Sequence, residues 1–396
     1  MALFRRREPE ARSASLAELQ KIMDRARMTT AGVGVDPESA LRHSAWWASV
    51  ELIAGVGSSL PLDEFREQAG EQVTVRLSSL FADPDPDPSI TAQAWRAQVL
   101  RSAAARGNAY ALLTGGESGS PTGATTLHPD RVRWDYRDGR WVTLVDNAVM
   151  DRWPLGPLWH FALFQPPGSP IGMSPVEHHR QTIGTALAAQ QFGAQFFGNS
   201  GVPPYIVKMP GKPNSEQSKQ LKKELKDATS GGEPLIIPSE ITFEKVTISP
   251  EDSQFLDTQR LGVEEIARII LGGFPELIGA AVTGGGSVTY ANREQRMADF
   301  IALSLAPRYL VPLEAALSAL LPRGRYIKHN LDALLRADLK TRYESYQLAA
   351  QVADTMGAPL LTSDEMRRLE NRPPLTEDDR AGFTRRPTAA PTGAPY

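Results

Sequence analysis

Two long helical runs, 174–199 and 251–271, bracket a stretch of fifty residues that reads as a small folded module, and this pairing constrains the fold most. Ser174-Pro175 opens the first run, proline being well placed in a first helical turn. At 1.5 Å per residue the runs are about 39 Å and 30 Å long. Between them the pattern predicts strands at 205–209, 234–237 and 242–246 and a polar helix at 215–228. Such a chain makes a hairpin-like stalk with an α/β tip. No charge occurs between Arg180 and Lys208, but Gln181, Gln190, Gln191, Gln195 and Asn199 lie in that stretch. Those amides would be costly in hydrocarbon, so a closely packed soluble helix is expected, not a membrane span.

The flanks are built differently. The first 44 residues mix charged and small residues around one short helical pattern, 16–28, and read as a mobile or partner-docked arm. An apolar helix carrying Trp46, Trp47, Val50, Leu52, Ile53 and Val56 follows, stopped at Pro61. The alternating Asp-Pro run from Asp83 to Pro88 reads as a stiff, solvated linker. A helix over 91–106 ends at Gly107-Asn108, and short strands continue to about Phe164. After the second long run come a glycine-rich loop (272–289), a helical run over 292–321 kinked at Pro307 and Pro312, a strand at 325–327, and helices at 331–355 and 363–369. The Pro/Ala/Thr-rich end reads as disordered. The fold class is α+β, mainly helical.

Chemistry is scarce. There is no cysteine, which excludes disulfides and thiolate metal sites. The net charge is −3, so a large cationic surface for phosphates is not expected. Met1 to Arg7 could head a signal peptide, but the residues after it supply no apolar core, so export by that route is not expected. Gly284-Gly285-Gly286-Ser287 lacks the lysine of a phosphate loop, and in Gly211-Lys212-Pro213 proline replaces the magnesium-binding hydroxyl. His178-His179 are adjacent, so on a helix they point about 100° apart and cannot jointly chelate. No Gly-x-Ser-x-Gly elbow is present. The stretch 201–250 carries seven lysines against six acids, the balance of a solvated, partner-facing surface.

Local phrases, in order, resemble the portal protein family of tailed phages with long flexible tails. They run from Ser49-Val50-Glu51-Leu52-Ile53-Ala54 through Gly107-Asn108-Ala109-Tyr110, Leu127-His128-Pro129, Gly172-Met173-Ser174-Pro175-Val176 and Phe196-Phe197-Gly198-Asn199. The strongest series is Gln254-Phe255-Leu256-Asp257, Glu265-Ile266-Ala267, Phe274-Pro275-Glu276-Leu277-Ile278-Gly279, Thr289-Tyr290-Ala291-Asn292, Leu305-Ala306-Pro307 and Glu314. Leu361-Thr362 and Glu365-Met366-Arg367 close it, with Asp364 where the family has Asn. Gly272-Gly273-Phe274-Pro275 departs from the family's Phe-Gly-Val-Pro, and the glycine loop after Gly279 is unusual.

The resemblance implies an elongated portal-type subunit: an arm (1–44), a wing (45–172 with the long helix 291–322), stem helices (173–200 and 251–271), a clip (201–250), a tunnel loop (272–290), a crown (323–383) and a disordered tail (384–396). About a dozen copies would form a ring at one capsid vertex, in the virion and, during assembly, in the host cytoplasm. Double-stranded DNA would pass through without sequence-specific binding. The terminase large subunit, a head–tail adaptor and the major capsid protein or scaffold would be partners; no enzyme activity, cofactor, metal or membrane is implied. Thr283, Gly284, Gly285, Gly286 and Ser287 would face DNA, and Lys219, Lys222 and Lys223 the terminase. The second stem helix holds five acids against two arginines, so Asp257 and Glu264, two turns apart, would line the tunnel. Phe255, Val263, Ile266 and Ile270, with Val176, Ile183 and Leu187 on the first helix, would be apolar stripes covered by neighbouring subunits. A ring-forming capsid or connector protein without a DNA tunnel is the alternative.

Overall fold

In a computed structural model the described residues are 28–68, 70–115, 120–198, 205–208, 216, 219, 242–245, 251–280, 290–331, 339–351, 360–370 and 372–384. They form two compact units, divided after Asn330.

The first unit opens with a piece of the expected arm that is packed down. Asp36 caps the short helix α1 (Pro37–Ala40) in a reciprocal capping box with Ser39, and Val35, Ala40 and His43 are buried. Only 1–27 of the arm lies outside the described residues. Helix α2 (Ser44–Ser59) follows, and its Trp46, Val50, Ile53 and Ala54 are fully buried. Strands β1 (Leu62–Gln68) and β2 (Glu71–Val75) form a hairpin, and α3 is the turn Ser79–Ala82. Helix α4 (Ala92–Arg106) is capped by the Thr91 hydroxyl and stopped by Gly107 at φ +72°. It packs on α2, where Gly57 meets Leu100 and the Arg101 guanidinium grips Glu51 at 2.6 and 2.9 Å.

The Asp-Pro run is not a solvated linker. Pro84 and Asp85 are buried, and the Pro84 carbonyl accepts the Ala124 N–H at 2.6 Å, so the segment folds onto β4 (Pro121–Leu127). Strand β3 (Asn108–Gly115) lies between β4 and β8 (Leu158–Ala162), all antiparallel. A second antiparallel sheet holds β5 (Val132–Arg137), β6 (Arg140–Val145) and β7 (Ala148–Val149).

The first long run is two helices, α5 (Pro175–His178) and α6 (Arg180–Gly198), broken at His179, whose φ of −106° and ψ of 25° leave helical geometry. Strands β9 (Tyr205–Lys208) and β10 (Thr242–Lys245) pair antiparallel, as expected for the tip module; its 234–237 strand and most of its polar helix lie outside the described residues. Helix α7 is Glu251–Leu271, with the bounds expected, and its side chains are described from Gln259 onward.

The third helical run is continuous from α8 (Tyr290–Phe300) through a π-helical segment (Ile301–Leu310) to α9 (Val311–Ser318). Pro307, which has no N–H to give, sits in the wide turns, where Val311 N–H bonds back five residues to the Ala306 carbonyl. Pro312 sits in the first turn of α9. One described helix, Gln295–Ser318, is long and apolar enough to cross a membrane by length and composition; its Phe300, Leu305, Tyr309, Leu310, Leu313 and Leu317 are buried in this unit.

Strand β11 (Arg325–His329) closes the unit by pairing with β1, giving the sheet order β11-β1-β2. Residues 323–330 therefore belong with the first unit and not with a crown beginning at 323. Glu64 explains the pairing: its fully buried carboxylate meets Arg325 at 2.5 Å and accepts the Ser78 N–H at 2.7 Å. Likewise Glu314 accepts both the backbone N–H and the ring N–H of His329, each at 2.8 Å, tying α9 to β11.

The second unit holds α10 (Leu339–Gln351), α11 (Ser363–Leu369) and α12 (Glu377–Thr384). Thr362 and Glu365 form a capping box on α11. Asp364 accepts the Leu375 N–H at 3.0 Å and pairs with Arg380, which gives a carboxylate at this position its use.

Candidate functional site

The candidate site is the stalk, α6 with α7, and the joints that aim it. The two helices pack side by side where Ala186 faces Gly262, a pair of residues small enough for close approach. Gly184 instead receives Thr29, and Thr30 donates through both its N–H and its hydroxyl to the Gln181 side chain, at 3.1 and 3.0 Å. The segment before α1 is thus strapped across the root of α6.

The first joint is made by Gly107-Asn108 and Gly172-Met173. Asn108 Oδ1 accepts the Gly172 N–H at 2.8 Å while its Nδ2 donates to the Gly172 carbonyl at 2.9 Å. The backbones touch: a Cβ on Gly172 would lie 2.0 Å from the Gly107 carbonyl oxygen. His160 Nε2 lies 3.0 Å from the same Asn108 oxygen; that oxygen only accepts, so Nε2 carries the proton and donates. The His160 ring stacks on Tyr110 at 4.8 Å, and Trp134 donates to the Tyr110 hydroxyl at 2.8 Å. Burial, helped by Arg152, pushes His160 down to about 3, and burial pushes Tyr110 up to about 12. Both rings are therefore neutral across the physiological range. Two glycine-centred phrases, 65 residues apart, are one clasp, and α5 and α6 leave the β3–β8 sheet from it.

The second joint closes the far end of α7. Arg308 donates to the Ile269 and Ile270 carbonyls at 2.7 and 3.2 Å, and the Tyr309 hydroxyl donates to Ile270 at 2.8 Å. These satisfy carbonyls that a helix C-terminus leaves open and set a cation against its dipole. The π turns bring Ser304, Arg308 and Tyr309 to one spot, with Gly272 (φ +74°) fitted against Ser304 and Arg308. The chain then makes a 3-10 turn (Pro275–Ile278), with Phe274 edge-on to Phe300 and Glu276 paired to Arg296 at 3.6 Å. The first part of the expected flexible loop, 272–280, is thus a folded strap. Thr283, Gly284, Gly285, Gly286 and Ser287 lie outside the described residues.

The expected subunit-interface stripe is partly overturned. Ile266 and Ile270 are fully buried within a single subunit, as are Val176 and Ile183, with Leu187 nearly so. Within the subunit α2 and α6 pack on α7 and α4 packs on α5, so these are core residues and need no neighbour. Val263 and Glu264 are half-buried and share a cleft with Ser44, Ala48, Arg260 and the turn at Ile278–Gly279. The side chains of Phe255 and Asp257 lie outside the described residues, as do Lys222 and Lys223; Lys219 is helical and exposed.

Exposed Glu38, His128 and Asp130 converge within 4.8 Å of one another. Asp130 pairs with Arg106, and His128 Nδ1 accepts the Asp130 N–H at 3.3 Å, so the group reads as a hydrogen-bonded turn at the start of β5. The clasp and the Arg308 joint were not singled out by sequence reasoning. Arg308 carried a signal nonetheless, as the one cation between Phe300 and Ala319.

Comparison with known proteins agrees with this architecture. A family model described as phage portal protein matches residues 44–371. The probable portal protein of Streptomyces phage phiC31 is 30% identical over 372 residues, 88% of this chain and 79% of that protein. An HK97 family phage portal protein from Corynebacterium diphtheriae shares the fold with a TM-score of 0.59 at 16% identity, over 77% of this chain and 98% of that one. A chain in the neck of a native gene transfer agent particle, computed with C12 symmetry, shares it at 0.52 and 21% identity, over 89% and 99%. With a family match spanning the stalk, both joints and the closing strand, the chain belongs to the phage portal protein family.

Proposed function

We propose that this chain is the repeating subunit of a ring-shaped channel at one capsid vertex, through which viral DNA is packaged and later ejected. The observation that carries the reading is the family match over residues 44–371, a span that takes in both stalk helices and reaches the second unit. The C12 symmetry of the neck structure, carried over, supports a ring of about twelve copies. The family is structural, and the protein's work is mechanical: it holds a passage open and joins head to tail.

In this reading the terminase large subunit drives DNA from the tip side, where Lys219, Lys222 and Lys223 meet it. The head–tail adaptor takes that place after packaging, and the major capsid protein or a scaffold seats the wing. The loop containing Thr283, Gly284, Gly285, Gly286 and Ser287 touches DNA. Asp257 and Glu264 line the tunnel, so that a polyanion slides and is not trapped by the many phosphate contacts a basic lining would make. Electron microscopy of the purified full chain tests the reading: rings with a central hole support it, and compact monomers without one overturn it.

A further inference from the structure

The helix running from Phe300 to Ala319 is inverted with respect to an ordinary surface helix. Every polar side chain in it turns inward. Ser304 and Tyr309 are buried, Arg308 caps α7, Glu314 holds His329, and the Ser318 hydroxyl donates to the Glu314 carbonyl and accepts the Ile327 N–H. Trp159 and Trp153 add indole N–H bonds to the Ala316 and Ala319 carbonyls, both at 3.1 Å. Outward lie Ala302, Leu303, Pro307, Val311, Ala315 and Ala319, all exposed and none polar. Leu303 is 70% exposed and Val311 55%. Of the most apolar stretch of this helix only 44% is buried. A helix that keeps its polar groups inside and shows an apolar face outside has that face left to cover.

We infer that this outward stripe is the face on which the adjacent copy of this chain docks in the ring. The inference rests on the ring reading and adds to it a surface which that reading does not assign. Charge decides among occupants. The stripe offers no donor to a phosphate and no charge to a solvated loop, so its match is another uncharged, apolar protein surface. A closed ring supplies such a surface to every copy, because a head-to-tail contact covers the same stripe on each subunit. The stripe is also pre-organised: its backbone is fixed from within by the indoles, Arg308 and Glu314, so docking orders little.

The chain has no cysteine, which makes the test clean. Leu303→Cys in the full chain is treated with a maleimide as isolated subunits and as assembled rings. Labelling should be slower in rings by about tenfold or more, as for a side chain passing from exposed to buried at a contact. The double variant Leu303→Asp/Val311→Asp should keep the parental circular dichroism and lose rings in sedimentation, with subunits accumulating. Should that variant misfold, the labelling result still decides. Equal labelling of the Leu303→Cys protein as subunits and as rings, or rings at parental yield from a folded double variant, overturns the inference while leaving the ring reading intact. Parent protein that never forms rings removes both. If it instead floats with vesicles of mixed zwitterionic and anionic phospholipid, and the double variant does not, the stripe belongs to a lipid surface.

Discussion

Asn108 and Gly172 are joined by two hydrogen bonds, 2.8 Å from the Gly172 N–H to Oδ1 and 2.9 Å from Nδ2–H to the Gly172 carbonyl. Asn108→Ala strands both groups and the His160 N–H. At ~1–3 kcal/mol for each buried unpaired group, the loss should be about 3 kcal/mol or more. Asn108→Asp keeps the acceptor but turns a buried carboxylate oxygen toward the Gly172 and Arg106 carbonyls, so it should be tolerated no better than the alanine variant. Urea midpoints of the three proteins check this order, and a loss below about 1 kcal/mol for the alanine variant would show the clasp is dispensable.

His160 should add a pH dependence of known sign. Its folded value is pushed down to about 3, so the folded state refuses a proton that the unfolded chain accepts below the usual histidine value of 6.5. The stability it contributes is complete above 6.5 and is lost as pH falls toward 3, at up to ~1.4 kcal/mol per pH unit. Other groups titrate too, so the readout is the parent minus His160→Gln, which can still donate to Asn108. Parallel urea-midpoint curves for the two proteins between pH 6.5 and 4.5 would refute the assignment.

Arg308 and Tyr309 close α7 from the side of the π turns. Arg308→Leu should cost about 1–3 kcal/mol through the freed Ile269 and Ile270 carbonyls, and Tyr309→Phe about 1 kcal/mol. Arg308→Lys should recover only part, since an ammonium cannot fork across two carbonyls as a guanidinium does. Amide exchange in the last turn of α7 should quicken in the same order. Unchanged exchange in Arg308→Leu would mean the helix end is held elsewhere.

Ile266 distinguishes core from contact. Being fully buried in one subunit, it should break folding when changed to Asp, by several kcal/mol, and not yield folded subunits that merely fail to assemble. Ile266→Ala should cost about 2–5 kcal/mol. A soluble, cooperatively melting Ile266→Asp subunit that does not form rings would return this residue to the interface.

If Asp257 and Glu264 line the tunnel, changing both to Lys should create DNA binding by the ring that weakens steeply with salt, and should slow packaging. A doubly substituted ring that packages at the parental rate and binds no more DNA than the parent turns that face outward.

The long helices were readable because apolar periodicity and punctuation agree. Helix α7 has the expected bounds, and Pro61 and Gly107 stop α2 and α4 as expected. What each helix packs against was not readable. The Ile266–Ile270 stripe looks the same whether its cover is α2 or a neighbouring subunit, because periodicity reports that a face is buried and not by what. The Asp-Pro run misled for a related reason: its polarity suggests water, yet Pro84 is held by a strand some forty residues on and Asp85 is buried beside it. Asn108 and Arg308 act across the fold, and their spacing to Gly172 and Ile270 is set by tertiary packing alone.

The pairing of β11 with β1 has a consequence during synthesis. About 260 residues separate Gln68 from Arg325, and at ~5–20 residues per second a ribosome needs roughly ten to fifty seconds to cross that interval. Until then the hairpin has a bare edge, and Glu64 is without the guanidinium that compensates its burial. The earliest-made sheet is thus among the last parts to become native, and a chain stalled or cleaved before Arg325 is a substrate for chaperones and proteases.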